Sequence, residues 1–249
     1  MNIRICVVLL VYSNSCSFGF TNGPKAYPEL IAEHLGARII NNGMHGSCNR
    51  RIIRTSLRDL LELRQTTDDT ILALIGLTML SRTEKWQPWL NQNHSDGDFA
   101  SIRIDSSRFN WTNGLNTEHK DVWKYANKNL RNYYKEWLLL YDPEERVVEL
   151  LADIVMFVKW AHANNIDCLV FNNMECLPIM DHAPFLNTFT STLENCNNVI
   201  DLSKFSFRNY ALSLGHIPYD FETYGNDGHP NQQAHVDFAE HLIVKYINV

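Results

Sequence analysis

Ile3-Arg4-Ile5-Cys6-Val7-Val8-Leu9-Leu10-Val11-Tyr12, followed at once by Ser13-Asn14-Ser15-Cys16-Ser17-Phe18-Gly19, is the stretch on which the fold turns. Its first part is apolar and β-branched without alternation, the pattern of a strand buried on both faces of a parallel sheet. A polar, glycine-containing turn is expected from Ser13 to Pro24. Beyond it the pattern repeats. Tyr27 to Leu35 carries apolar residues at helical spacing and stops at Gly36. Ala37 to Ile40 reads as a short strand, Asn41 to Ser47 as a glycine-rich loop, and Arg50 to Leu63 as an amphipathic helix with Ile52, Ile53, Leu57, Leu60 and Leu61 on one side. Thr70 to Leu77 is a third buried strand. The β-α-β-α-β order predicts an α/β domain with a parallel sheet covered on both faces. Ligands of such sheets bind beyond the carboxyl ends of the strands, where the loops Ser13 to Gly23, Asn41 to Asn49 and Gly76 to Glu84 all fall.

The regular pattern breaks between residues 80 and 132. This stretch is polar and asparagine-rich, with Trp86, Trp89, Phe99, Phe109, Trp111, Trp123 and Tyr125 spread along it. It is too long for a plain loop in a compact domain and is expected to form an inserted, aromatic-rich cap with some short helices. Regularity returns at Asp142, an N-cap followed by Pro143, Glu144 and Glu145, which suit the first turn of a helix running to about Ala163. Cys168 to Phe171 is expected as a fourth strand, Val199 to Leu202 as a fifth, and Asn231 to Ile247 as a closing helix. Residues 1–249 thus read as one domain with the cap at 80–132 inside it.

The net charge of −6 argues against nucleic acid or an anionic membrane as the main partner, since both select basic surfaces. The six cysteines form no CxxC pair, and no Cys/His cluster has zinc spacing, so no metal is expected. Cys6 and Cys168 lie in apolar runs and read as buried free thiols. Met1 to Tyr12 is too short in its apolar run, and lacks a clean small-x-small site, for a secretory signal. No run is long enough to span a membrane.

Serine attack on an ester needs a base, a group that orients the base, and donors for the oxyanion. The chain offers each after a strand or before the last helix: Ser13, Ser15 and Ser17; Gly46 and Asn49; Thr78; and Asp227 with His229. Taken singly, each has a structural reading. Serines after a strand satisfy turn backbone, Asn49 is a natural helix N-cap, and Asp-Gly and His-Pro are ordinary turn dipeptides.

Together they resemble the ordered blocks of the SGNH (GDSL-like) hydrolase family, in the form common among bacteriophage-encoded members. Ser15-Cys16-Ser17-Phe18-Gly19 resembles the first block, Asn42-Gly43-Met44-His45-Gly46-Ser47-Cys48-Asn49 the second, Ile75-Gly76-Leu77-Thr78 occupies the place of the third, and Asp227-Gly228-His229-Pro230 resembles the fifth. The resemblance covers both ends of the chain but not the insertion. It implies a three-layer α/β/α sandwich with a parallel, flavodoxin-like sheet, and ester hydrolysis without a cofactor. Ser17 would be the nucleophile, His229 the general base and Asp227 its orienting partner. Gly46, with Asn49 or Thr78, would hold the oxyanion, and a small acyl group such as acetyl, on a small-molecule or glycan alcohol, would be the substrate. Arg82, Glu84 and Trp86, after the third strand, are candidate substrate contacts. A cytoplasmic or virion-associated setting is the matching expectation.

Three positions depart from the family pattern. Ser15 stands where a glycine is usual, Thr78 where an asparagine donates to the oxyanion, and Asp227 precedes His229 by two positions rather than three. These departures keep alive a non-catalytic binding or virion structural module on the same scaffold. A nucleotide- or phosphate-binding α/β protein ranks below both, because neither G-x-G-x-x-G nor a P-loop is present.

Overall fold

The computed structural model describes residues 10–15, 25–44, 47–80, 82–86, 99–103, 136, 140, 142–174, 176–177, 189, 191–193, 199–216 and 230–247, with backbone alone in 82–86 and 99–103. Four strands, β1 (Leu10–Ser15), β2 (Arg38–Asn41), β3 (Ile71–Leu77) and β6 (Ile166–Asn172), form one parallel sheet in the order β2-β1-β3-β6. Counting only its own strands, the order is 2-1-3-4, the doubly wound arrangement of flavodoxin-like folds. Every residue of β1 and β3 is buried.

Alternation sorts the strands onto two cores. Tyr12, Ala73, Ile75, Cys168 and Val170 face helices α2 (Asn49–Thr66) and α3 (Pro143–Ala163), in a largely aliphatic layer with Ile52, Leu60, Leu150, Leu151 and Ile154. Val11, Leu72, Leu74, Leu169 and Phe171 face α1 (Tyr27–His34), α4 (Phe207–Ser213) and α5 (Gln232–Tyr246). That second layer is aromatic: Phe238 stacks on Phe207 at 4.2 Å and meets Tyr27 edge-on at 5.1 Å. Helices on both faces of a parallel sheet make this a three-layer α/β/α fold.

The local signals act where they stand. Gly36, at φ 62°, ends α1 in the left-handed region that glycine enters without strain. Asp142 caps α3 by accepting from the Glu144 N–H at 2.8 Å, and Asn231 caps α5 by accepting from Ala234 N–H at 2.9 Å.

Several boundaries differ from expectation. The expected polar turn at Ser13 is strand: β1 continues to Ser15 because Ser13, Asn14 and Ser15 pair with Leu74, Ile75 and Gly76. Ladder pairing there outweighs the turn preference of the side chains. Helix α2 begins at Asn49, and its N-cap is Cys48, whose Sγ accepts from Arg51 N–H at 3.4 Å. Asn49 is therefore not the cap, because its side chain binds elsewhere. The expected fifth strand at Val199–Leu202 is reduced to isolated bridges, Val170 with Val199 and Asn172 with Ser206. Asp201 ends the pairing by accepting from the Ser203 N–H and hydroxyl at 3.0 and 2.6 Å, an Asx turn. Helix α4 was not expected. Within the expected cap, β4 (Arg82–Trp86) pairs antiparallel with β5 (Phe99–Arg103); the rest, with the short helices expected there, lies outside the described residues. Among the described residues no helix is long and apolar enough to cross a membrane.

Candidate active site

The strand order reverses between β1 and β3, so the crevice that this topology opens lies at the carboxyl ends of those two strands. Polar side chains concentrate there. Ser13, Asn14 and Ser15 of β1, Thr78 after β3, and Asn172 and Asn173 at the end of β6 are all 0–2% exposed. Buried polar groups must find partners within the protein, and most of these do.

On the α2 face, the Asn14 amide nitrogen lies 2.7 Å from Thr55 Oγ1 and 3.2 Å from both the Ile52 carbonyl and the Tyr12 hydroxyl. Tyr12 donates to Asp59 Oδ2 at 2.8 Å, and Asn42 donates to the same oxygen at 2.7 Å. Arg58 donates to Oδ1 through Nε at 2.8 Å and Nη2 at 2.6 Å. Burial first, and then the Asp59 charge, hold the Tyr12 phenol far above its ordinary range, so it is a fixed neutral donor. Asp59, midway along α2, thus pins the start of the glycine-rich loop. That loop also extends the β1–β2 pairing, with Asn42 N–H donating to Ser13 O at 2.8 Å and Met44 N–H to Ser15 O at 3.0 Å.

Where the loop enters α2, Arg51, only 5% exposed, donates to Ser47 Oγ at 2.9 Å. Asn49 reaches across to β3. Its Nδ2 donates to the Thr78 carbonyl at 3.0 Å and its Oδ1 accepts from the Thr78 N–H at 2.6 Å. The Thr78 hydroxyl donates to Met174 Sδ at 3.2 Å. One amide thereby joins the first turn of α2 to the end of β3. The positive end of the α2 dipole and the Arg51 guanidinium make this corner favourable for negative charge.

The opposite face holds a cluster that the sequence reading gave no role. Asn173 and the Tyr27 hydroxyl sit 3.3 Å apart, and His235 Nδ1 accepts from the Tyr27 N–H at 3.3 Å while its ring stacks on Tyr27. Gly76 makes room for them: a Cβ there would lie 2.2 Å from Asn173 Nδ2 and 2.9 Å from the Tyr27 oxygen. The available signal was His235 lying in the apolar stripe of α5 with Phe238, Ala239 and Leu242.

Of the expected site residues, the structure brings Asn49 and Thr78 into contact. Ser17, Gly46, Asp227 and His229 lie outside the described residues. Arg82, Glu84 and Trp86 are on β4, opposite Arg103, Ser101 and Phe99. Described chain lies close to three of these four. Ser15 ends β1 two positions before Ser17. Met44 and Ser47 flank the stretch that holds Gly46. Pro230, buried, follows His229 and leads into α5, whose first turn is tied to the start of α1: Gln232 Nε2 donates to the Lys25 carbonyl at 3.1 Å. Among the described residues no three metal-ligating side chains cluster.

Solved structures with a similar chain path include the psychrotrophic esterase EstA from Pseudoalteromonas sp., at 14% identity and a TM-score of 0.42, covering 94% of this chain and 93% of that one. A catalytic variant of the acetylxylan esterase Axe2 from Geobacillus stearothermophilus is similar at 13% identity and a TM-score of 0.46, covering 96% of this chain and 95% of that one. No curated protein matches the sequence. Residues 16–249 match the model of DUF6071, a family of unknown function, and the chain belongs to that family.

Proposed function

We propose that the protein is a serine hydrolase that removes a small, acetyl-like acyl group from an ester. Ser17 attacks the acyl carbon while His229 takes its proton and Asp227 orients His229. The tetrahedral oxyanion is held by the Gly46 N–H with help from Asn49 or Thr78. His229 then returns the proton to the departing alcohol, and water hydrolyses the acyl-enzyme by the same route. No cofactor takes part. Arg82, Glu84 and Trp86 would face the substrate from the cap.

The observation that carries this reading is convergence. Described segments close to the motifs support it: the end of β1, residues 42–44 paired to it, Thr78 locked to Asn49, and the first turn of α5 held against the segment before α1. Ligands of such sheets bind at the switch point beyond the carboxyl ends of the strands, which supports reading the motifs together.

A second reading, a binding module on the same scaffold, is favoured by one observation: the Asn49 amide is already engaged by the Thr78 backbone. A fluorophosphonate probe separates the two. A hydrolase labels at Ser17, and Ser17→Ala abolishes both labelling and turnover of 4-nitrophenyl acetate while the circular dichroism spectrum is kept. Absence of labelling in the folded wild-type protein would give the site to binding.

A further inference from the structure

The same sheet edge carries a cleft of about 300 Å³ on the α2/α3 side. Asn49 and Arg50 enter it from the first turn of α2, Leu80 from the segment after β3, and Leu150 and Asp153 from the first half of α3. Because α3 leads into β6, that half lies beside the carboxyl ends of the strands. The cleft therefore opens next to Asn49, the residue clasped to Thr78. Its volume is at the small end for ligand pockets, suited to a single small group.

The chemistry of its walls is specific. Arg50 and Arg146 face Glu149 and Asp153, so the formal charges cancel. Arg146 is engaged with Glu149 at 2.8 Å. Asp153 is only partly exposed and makes no hydrogen bond or ion pair among the described residues. Burial pushes its carboxyl above the usual range, opposed by the charge of Arg50 and reinforced by that of Glu149. Burial strips this carboxylate of part of its water, and a ligand hydroxyl would supply a donor in its place. An anionic ligand would meet Asp153 and Glu149, a cationic one Arg50 and Arg146, and an acyl chain would strand all four charges. A neutral polyol meets none of these penalties. Its hydroxyls donate to carboxylates and accept from guanidinium groups at once.

We propose that this cleft binds the alcohol portion of the ester, and that this portion is a sugar ring, with hydroxyls on Asp153 and Arg50 and its C–H face on Leu80 and Leu150. The proposal rests on the hydrolase reading for what the ring is attached to, but its binding can be read without turnover. The probes are methyl β-D-glucopyranoside and methyl β-D-galactopyranoside, titrated into the full-length protein with carbon-13-labelled leucine methyls. At least one glycoside should shift Leu80 and Leu150 saturably, and Asp153→Asn and Arg50→Gln should each weaken it by about tenfold or more, the loss expected for a charge-assisted hydrogen bond. Lys159→Ala, farther along α3, should leave the affinity unchanged. The acetylated glycoside, compared with 4-nitrophenyl acetate, should lose relative kcat/KM by a similar factor in Asp153→Asn. If neither glycoside shifts those leucines, or both variants bind as the wild type does, the sugar cleft is overturned even where nitrophenyl acetate is turned over. Saturable binding in a protein without turnover supports the cleft and sinks the hydrolase reading instead.

Discussion

Asn49 clasps Thr78 through one amide and has a hydrogen to spare. It pairs both backbone groups of buried Thr78, and its second N–H is not used by the Thr78 carbonyl. Removing it separates a structural role from a catalytic one. Asn49→Ala should cost about 1–3 kcal/mol in urea unfolding, because two buried backbone groups lose their partner. If Asn49 also donates to the oxyanion, turnover of 4-nitrophenyl acetate should fall by on the order of a hundredfold or more with KM little changed. Thr78→Val, which keeps the backbone pair and removes only the hydroxyl, should cost less in both assays. Stability loss with full turnover would confine Asn49 to the structural part. The sequence made Asn49 visible as a polar residue at a helix start, and the usual meaning of that signal is an N-cap. Its neighbour Cys48 takes the cap instead, which only packing against β3 decides. His235 and Asp153 were illegible for a related reason. A histidine in an apolar stripe and an acid on a helix face carry no local mark of what lies opposite them.

Helix α2 connects these residues into a device. Its first turn holds Thr78, its first three turns present Ile52, Thr55 and Asp59 to β1, and Asp59 reaches Asn42, which begins the loop before α2. Asp59→Ala strips the acceptor from Tyr12 and Asn42 together. The expected loss is about 2–3 kcal/mol, the range for hydrogen bonds to a charged group, read as a lower urea midpoint. Amide exchange should speed up at Asn42 and Met44, and Asp59→Glu should restore part of the protection. Exchange unchanged at those two amides would mean that their bonds to Ser13 and Ser15 suffice to hold the loop. The α2 helix itself was legible from its periodicity, as were α1, α3 and α5, because apolar spacing and caps are local signals. The end of β1 was not. Ser13, Asn14 and Ser15 favour turns on their own, and it takes β3 alongside to make them strand. Helix α4 was missed because seven residues hold too little periodicity to read.

Along the three longest strands of the sheet, composition changes in one direction. Leu10, Val11 and Tyr12 give way to Ser13, Asn14 and Ser15; Ile71 to Ile75 to Gly76 and, past Leu77, Thr78; Ile166 to Phe171 to Asn172 and Asn173. The amino halves of the strands anchor the two cores, and the carboxyl halves line the crevice. Such a gradient costs stability, because buried polar groups are unfavourable wherever their bonding is incomplete. The cost is visible in three atoms, Ser13 Oγ, Asn14 Oδ1 and Asn172 Oδ1, which are buried without a hydrogen-bond partner among the described residues. Ser13 isolates the effect best, since its change to alanine removes one oxygen, opens almost no cavity and suits a strand that is already fully buried. A buried hydroxyl left unsatisfied costs roughly 1–3 kcal/mol, so Ser13→Ala should raise stability by about 1 kcal/mol or more. The reading is a higher urea midpoint at unchanged slope, the sign that stability and not the denatured state has moved. Most single substitutions in a buried strand destabilise, so a gain here is a sharp expectation. A lower midpoint would mean that the Ser13 hydroxyl is bonded in the folded protein, and the polar end of β1 would then be a satisfied network rather than one held open for a ligand.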